Sequence, residues 1–258
     1  MARHMLMTPR MHPPTRMRYG QHRRQYMLVW ENPRPRRHSI LFFVHGGAWR
    51  NGFPGMYPDV TAFFLKQGFH VVMPAYRLSP RFSHPHMMED MVSAMHTVRA
   101  WTHQQGWGKT PVLLSGSSAG ATLTAHLAYD QRRRREAGLD DGSLTGFLSI
   151  AGPLDLDYLP PFQAVEAYAG GEKGSDAFRD ANPLNHLAPD EKLPALITHC
   201  PEDAIVPFRC SASFVEQYPA KEAIELWTIN GRTHLDAMRF AHDNPLMAAK
   251  IAEWLADK

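Results

Sequence analysis

Short apolar runs separated by polar, helix-patterned stretches set the rhythm of this chain from about residue 26 onward. Ser39–Val44 (SILFFV), His70–Pro74 (HVVMP) and Pro111–Leu114 are continuously apolar or nearly so, as strands buried on both faces are. Gln25–Glu31 reads as a short strand before them; Leu144–Ile150, Ala195–His199 and Ala223–Ile229 read as strands after them. Between the runs, Pro58–Lys66 is a predicted helix ended by Gln67-Gly68. Met87–Gln105 carries Met91, Met95, Val98 and Trp101 at helical spacing and stops at Gly106. Ala119 to about Glu136, Pro207–Gln217 and Pro245–Leu255 complete the helices. Strands alternating with helices of this length predict an α/β fold: a mostly parallel sheet covered on both faces.

Two stretches escape the rhythm. Leu154–Leu193 holds Pro160-Pro161, Gly170-Gly171 and Gly174 with little periodicity. Forty structureless residues are rare inside a domain, so short helices forming a small lid over the C-terminal edge of the sheet are expected at 154–193. Residues 1–25 form a basic arm, expected to be flexible, ahead of one domain at 26–258. Residues 1–38 hold nine arginines against the single acid Glu31, so +8 sits there and −5 on the rest of a chain whose net charge is +3. No regular aromatic-basic interleaving supports a nucleic-acid surface, and a solvated arm is the reading.

Composition adds bounds. With 44% hydrophobic and 21% charged residues in 258, the chain suits one ordinary globular core. Met5–Met7 is too short for the apolar stretch of a secretory signal, and no run approaches the ~20 apolar residues of a membrane span. Cys200 and Cys210 are too few for a disulfide framework. A cytoplasmic protein without nucleic-acid or membrane partners is expected, with a homodimer left open.

The chemistry concentrates in two glycine-rich turns. Gly116-Ser117-Ser118-Ala119-Gly120 follows an apolar strand and opens a helix. In that setting the flanking glycines let the chain reverse sharply and lift the Ser118 hydroxyl above the sheet. A serine hydroxyl needs a base beside it and donors for the charge that develops on the attacked carbonyl. His45-Gly46-Gly47-Ala48-Trp49 directly follows the strand ending at Val44, and Gly46, Gly47 and Ala119 are the predicted oxyanion-hole amides. Trp49 and Ser117 are candidate substrate-binding residues, and His45 a structural one.

The acid and base should follow in the order Ser…Asp/Glu…His. Asp203, after the strand Ala195–His199, is the predicted acid, with Glu202 the alternative. His234, in a loop between the last strand and the last helix, is the predicted base, with His242 its competitor. No metal or other cofactor is expected, because no H-E-x-x-H pair occurs and His84 and His86 flank a proline in a turn. Arg132–Arg135 reads as the solvated end of a helix.

HGGAW at 45–49, AYRLSP at 75–80, HPHMMED at 84–90, GSSAG at 116–120, EDAIVP at 202–207 and His234 together resemble the hormone-sensitive-lipase-like and kynurenine-formamidase-like branch of the α/β hydrolases. The resemblance covers about residues 26–256. It implies an α/β-hydrolase fold and a serine carboxylesterase acting on small short-chain or aromatic esters. An arylformamidase taking N-formylkynurenine is the alternative, and a non-catalytic binding module on the same scaffold the third. It also implies a structural Asp90. The chain departs at Ala48, where lipase-like members often carry a third glycine, and at Cys200, where relatives often have glycine. Few residues precede HGGAW, so a long N-terminal cap is not expected; this favours small or aromatic acyl groups over large lipids.

Overall fold

In the computed structural model, residues 12–256 are described apart from 37, 141, 162 and 229. Among the described residues eight strands form one sheet, in the spatial order β1-β2-β4-β3-β5-β6-β7-β8. The strands are β1 (Thr15–Arg18), β2 (Tyr26–Trp30), β3 (Ile40–Val44), β4 (His70–Pro74), β5 (Val112–Ser117), β6 (Leu144–Ile150), β7 (Ala195–His199) and β8 (Ile224–Thr228). The pairs β1/β2 and β2/β4 are antiparallel and all others parallel.

Helices cover both faces, as the apolar runs predict. They are α1 (Pro58–Lys66), α2 (His84–Gln104), α3 (Ala119–Tyr129), α4 (Gln131–Glu136), α5 (Gln163–Ala169), α6 (Asp176–Ala181), α7 (Arg209–Gln217), α8 (His234–Met238), α9 (Phe240–Asp243) and α10 (Pro245–Leu255). Side chains alternate across a strand. Ile40, Phe42 and Val44 of β3 therefore join a core with Met91 and Val98 of α2, Leu123 of α3 and Phe214 of α7. Leu41 and Phe43 join a second core with Phe64 of α1, Phe240 of α9 and Ile251 of α10. Burying one such Phe side chain is worth roughly 1.5–3 kcal/mol. No described helix is long and apolar enough to cross a membrane.

Local chemistry explains where the elements depart from the periodicity. The second helix begins at His84 rather than Met87, because Ser83 and His86 close a capping box around the proline in its first turn. The helix expected to run from Ala119 to Glu136 breaks at Asp130, whose carboxylate accepts from the N–H groups of Arg132 and Arg133 and starts α4. Ser175 and Asn182 cap α6 and the 3-10 turn Pro183–His186 within the segment 154–193, which is built from short helical pieces.

Part of the stretch assigned to the basic arm lies in the sheet: Thr15–Arg18 pairs with β2. Its side chains are mostly exposed and show no apolar alternation to signal a strand. Arg24, counted there as a solvated charge, donates from Nε to the Tyr76 carbonyl at 2.6 Å and from Nη2 to the Gly52 carbonyl at 2.7 Å. It braces the loop that follows HGGAW. Residues 1–11 of the arm lie outside the described residues. Asp90, fully buried, accepts from the Arg77 N–H, the Arg77 guanidinium and Gln25, a structural role.

Candidate active site

The chain runs from β3 out to β4 and returns to place β5 on the other side of β3. Crevices at such reversals, beyond the carboxyl ends of parallel strands, are where open α/β sheets bind ligands. Val44, the last residue of β3, is in register with Gly116 of β5. The HGGAW and GSSAG turns therefore leave the sheet side by side.

Close packing dictates both glycines of GSSAG. A Cβ on Gly116 would stand 2.4 Å from the carbonyl carbon of Gly120, and one on Gly120 would stand 2.1 Å from the carbonyl oxygen of Val44. Between them Ser118 adopts φ 51° and ψ −126°, a conformation L-residues rarely take. Its N–H donates to the Ile150 carbonyl at 2.8 Å. The α3 helix starts at the next residue, so the Ala119 amide is among the first-turn donors that have no partner inside the helix, at the positive end of its dipole.

Gly46 lies against this turn: a Cβ added there would sit 3.1 Å from the Ser118 Cβ. Gly47 has φ 123°, and its added Cβ would collide with the Asn51 carbonyl oxygen at 2.3 Å, so this position requires glycine. The Gly46 amide, expected in the oxyanion hole, donates to the Tyr57 hydroxyl at 2.9 Å. Tyr57, at the start of α1 and 5% exposed, was not singled out from the sequence. Burial pushes its phenol up, against the bond from Gly46.

Ser117 and Trp49, the candidate substrate-binding residues, are both buried. Ser117 is fully buried on β5. Trp49 is 3% exposed, and its ring stacks on Tyr168 of α5 with centroids 4.2 Å apart. His45 is buried, bonds through Nδ1 to the Gly46 carbonyl oxygen at 2.8 Å and stacks on Tyr76. Burial drives its pKa down to about 3, so it is a neutral structural ring.

Asp203 and His234 are brought together. Asp203 follows β7, and its Oδ1 accepts from the N–H groups of Ile205 and Val206, both at 2.9 Å. That turn aims Oδ2 at His234 Nδ1, 2.6 Å away. Both side chains are buried. Burial alone would raise the Asp203 pKa, but bonds from His199, His234 and the Val206 N–H outweigh it and hold the carboxyl well below its ordinary value.

His234 is the first residue of the short helix α8 rather than part of a loop. Thr233 and Asp236 form its capping box, which fixes the backbone next to the imidazole. Of the alternatives, Glu202 is exposed and accepts from the Gly231 N–H at 3.0 Å. His242 is exposed and bonded to Asp243. Neither reaches the buried pair. His199, at the end of β7, is a neighbour the sequence did not point to: its Nε2 stands 3.3 Å from Asp203 Oδ2.

Comparison with known proteins agrees with this architecture. Esterase LipC of Mycobacterium tuberculosis is 25% identical over 225 residues, which are 80% of this chain and 55% of LipC. The probable carboxylic ester hydrolase LipM of the same organism is 24% identical over 77% of this chain and 50% of its own length. The chain thus spans about half the length of the curated relatives it matches. Among solved structures, a truncated carbohydrate esterase from gut microbiota superposes with a TM-score of 0.77 at 17% identity, covering 93% of this chain and 95% of that one. Thermogutta terrifontis esterase 2, phosphonylated by sarin, gives 0.72 at 20% identity, covering 97% and 95%. These likenesses establish the α/β-hydrolase fold. The BD-FAE family model matches residues 30–218, from the end of β2 past α7, and the chain belongs to the BD-FAE family.

Proposed function

We propose that this protein is a serine carboxylesterase in which Ser118 is the nucleophile, His234 the base and Asp203 the acid. The observation that carries the reading is the buried 2.6 Å bond from His234 Nδ1 to Asp203, together with the strained backbone at Ser118. In this mechanism Ser118 Oγ attacks the ester carbonyl while His234 Nε2 takes its proton. Asp203 fixes the imidazole tautomer and stabilises the imidazolium. The tetrahedral oxyanion collapses, His234 returns the proton to the leaving alcohol, and water repeats the steps on the acyl-enzyme. Gly47 and Ala119 supply amides to the oxyanion. The Tyr57 hydroxyl, which accepts from Gly46, donates to the oxyanion in the place first assigned to the Gly46 amide.

Small apolar or aromatic esters fit this site best. Phe53, Met56, Ile205 and Leu235 are each more than half exposed, and they lie in the segments that leave the C-terminal ends of β3, β7 and β8. Large exposed apolar side chains grouped at one edge suit an apolar substrate group. The relatives named as esterases support the same reaction class, and the motifs at 45–49 and 116–120 support the hormone-sensitive-lipase-like and kynurenine-formamidase-like branch. The formamidase alternative draws on Trp49, whose ring is already stacked on Tyr168.

The test is parallel kinetics of wild type and Ser118→Ala on p-nitrophenyl acetate, p-nitrophenyl octanoate, methyl ferulate and N-formylkynurenine. Turnover of the acetate or ferulate that disappears in the variant supports the proposal. Preference for N-formylkynurenine by orders of magnitude replaces it with the formamidase. Activity unchanged in Ser118→Ala overturns it.

A further inference from the structure

Behind the nucleophile helix, three histidines from distant parts of the chain converge. His84 opens α2, His126 lies two turns into α3, and His186 ends the 3-10 turn at Pro183–His186. The His84 and His126 ring centroids are 4.4 Å apart, and those of His126 and His186 4.9 Å. Asp130, between α3 and α4, faces the same space.

Hydrogen bonds decide which atoms are free to ligate. His126 donates its Nε2–H to the Ala181 carbonyl at 3.0 Å, and His186 donates its Nε2–H to the Asp180 carbonyl at 2.8 Å. Each bond fixes the tautomer whose Nδ1 carries the lone pair, the second-shell arrangement typical of metal-binding imidazoles. The Nδ1 of His126 is fully buried and has no hydrogen-bond partner among the described residues. The Nδ1 of His186 stands 3.5 Å from Asp130 Oδ2. A neutral His186 turns its Nδ1 lone pair toward this carboxylate oxygen, an arrangement that either a proton on Nδ1 or a metal cation between the two atoms relieves. Asp130 Oδ1 is taken by the Arg132 and Arg133 amides at 2.9 and 3.2 Å, which leaves Oδ2 for the cluster.

We propose that His126 Nδ1, His186 Nδ1 and Asp130 Oδ2 bind one divalent transition metal ion of the zinc type. The ligand atoms already lie within 4.8 Å of one another. Zinc–nitrogen and zinc–oxygen bonds of about 2.0–2.1 Å at tetrahedral angles separate neighbouring ligands by about 3.4 Å. The His186–Asp130 pair, at 3.5 Å, is at that spacing, and the third ligand, within 4.8 Å of both, closes onto the ion by at most roughly 1.4 Å. Two imidazoles and one carboxylate favour zinc or its transition-metal neighbours over calcium or magnesium, which take oxygen ligands.

The competing cation is Arg133, whose Nε is 3.9 Å from Asp130 Oδ2, beyond hydrogen-bonding distance. His84 stays outside the ligand set. Its Nδ1 bonds the Tyr168 hydroxyl at 2.9 Å and its Nε2 faces the Asp180 carboxylate at 3.6 Å. The ion would be structural, joining α3 to the 154–193 segment that also carries Tyr168, and would take no part in ester cleavage. In sequence, His126 and Asp130 are only an i, i+4 pair; the third ligand arrives from a separate segment.

The full chain, stripped with EDTA, is dialysed against ZnCl2 and assayed for bound metal and melting temperature, and against CoCl2 for its visible spectrum. The expected result is one equivalent of zinc, a higher melting temperature, and cobalt absorption of a tetrahedral nitrogen–oxygen site. His186→Ala and Asp130→Asn should each weaken binding by about tenfold or more. Asn retains the helix cap, so the metal-free Asp130→Asn protein should melt like metal-free wild type. His103→Ala, at an exposed histidine, should bind as wild type does. Absence of bound zinc in the wild type overturns the proposal. So does binding that survives both His186→Ala and Asp130→Asn, or an octahedral cobalt spectrum.

Discussion

His199 Nε2 stands 3.3 Å from Asp203 Oδ2, the same oxygen that receives His234 Nδ1 at 2.6 Å. Both neighbours of that nitrogen are acceptors, because it also lies 3.0 Å from the Val206 carbonyl oxygen. The Nε2 proton is therefore on His199, pointing at the pair. On the other side His199 Nδ1 bonds Ser211 Oγ at 2.7 Å. The proposed acid thus has two imidazoles at one of its oxygens.

Replacing His199 with Gln is expected to lower kcat roughly 10- to 100-fold with KM little changed, the cost of one hydrogen bond to a charged group. Steady-state kinetics on p-nitrophenyl acetate, with a thermal melt to confirm folding, reads this. An unchanged kcat means that His234 and the turn amides suffice to place the carboxylate.

Tyr57→Phe removes the hydroxyl that accepts from Gly46. If that hydroxyl donates to the oxyanion, kcat falls by about 10²-fold, as for loss of one such donor elsewhere. If Gly46 itself is the donor, freeing its amide leaves kcat equal or higher. One measurement of kcat separates the two.

Ser118 occupies a backbone conformation that costs roughly 1–3 kcal/mol for a residue with a Cβ. Ser118→Gly should therefore melt higher than Ser118→Ala, while both hydrolyse nothing. Equal melting temperatures would show that the turn is not strained.

Asp203 has a folded pKa below its ordinary value of 3.8. A carboxyl with a depressed folded pKa stabilises the protein fully above its unfolded pKa and loses that contribution as pH falls toward the folded one. The melting-temperature gap between wild type and Asp203→Asn should be constant above about pH 5 and narrow below about pH 4. A gap independent of pH would exclude this linkage.

Much of the scaffold was legible because buried parallel strands leave an unmistakable run of apolar residues. The bounds of β4, β6, β7, α1 and α10 follow from such runs and their proline or glycine ends. What escaped was held by other means. β1 is an exposed edge strand whose partner, not its own pattern, defines it. The break at Asp130 and the short helix at His234 are set by side-chain caps. Motifs brought Ser118, Asp203 and His234 to notice, and the fold pairs the last two. Trp49 and Ser117, singled out by adjacency to a motif, are both buried. Tyr57 and His199 belong to no motif, and only the folded chain brings them to Gly46 and Asp203.

The register of Val44 against Gly116 has a consequence for how such a scaffold tolerates change. The spacing at which its two glycine turns leave the sheet is set by backbone ladder bonds between neighbouring strands. Insertions, deletions and substitutions in the segments beyond the sheet can alter what reaches the serine while the distance from serine to amide donors stays fixed. Variation in what is recognised is thereby separated, within one chain, from the geometry of the proposed catalytic turns.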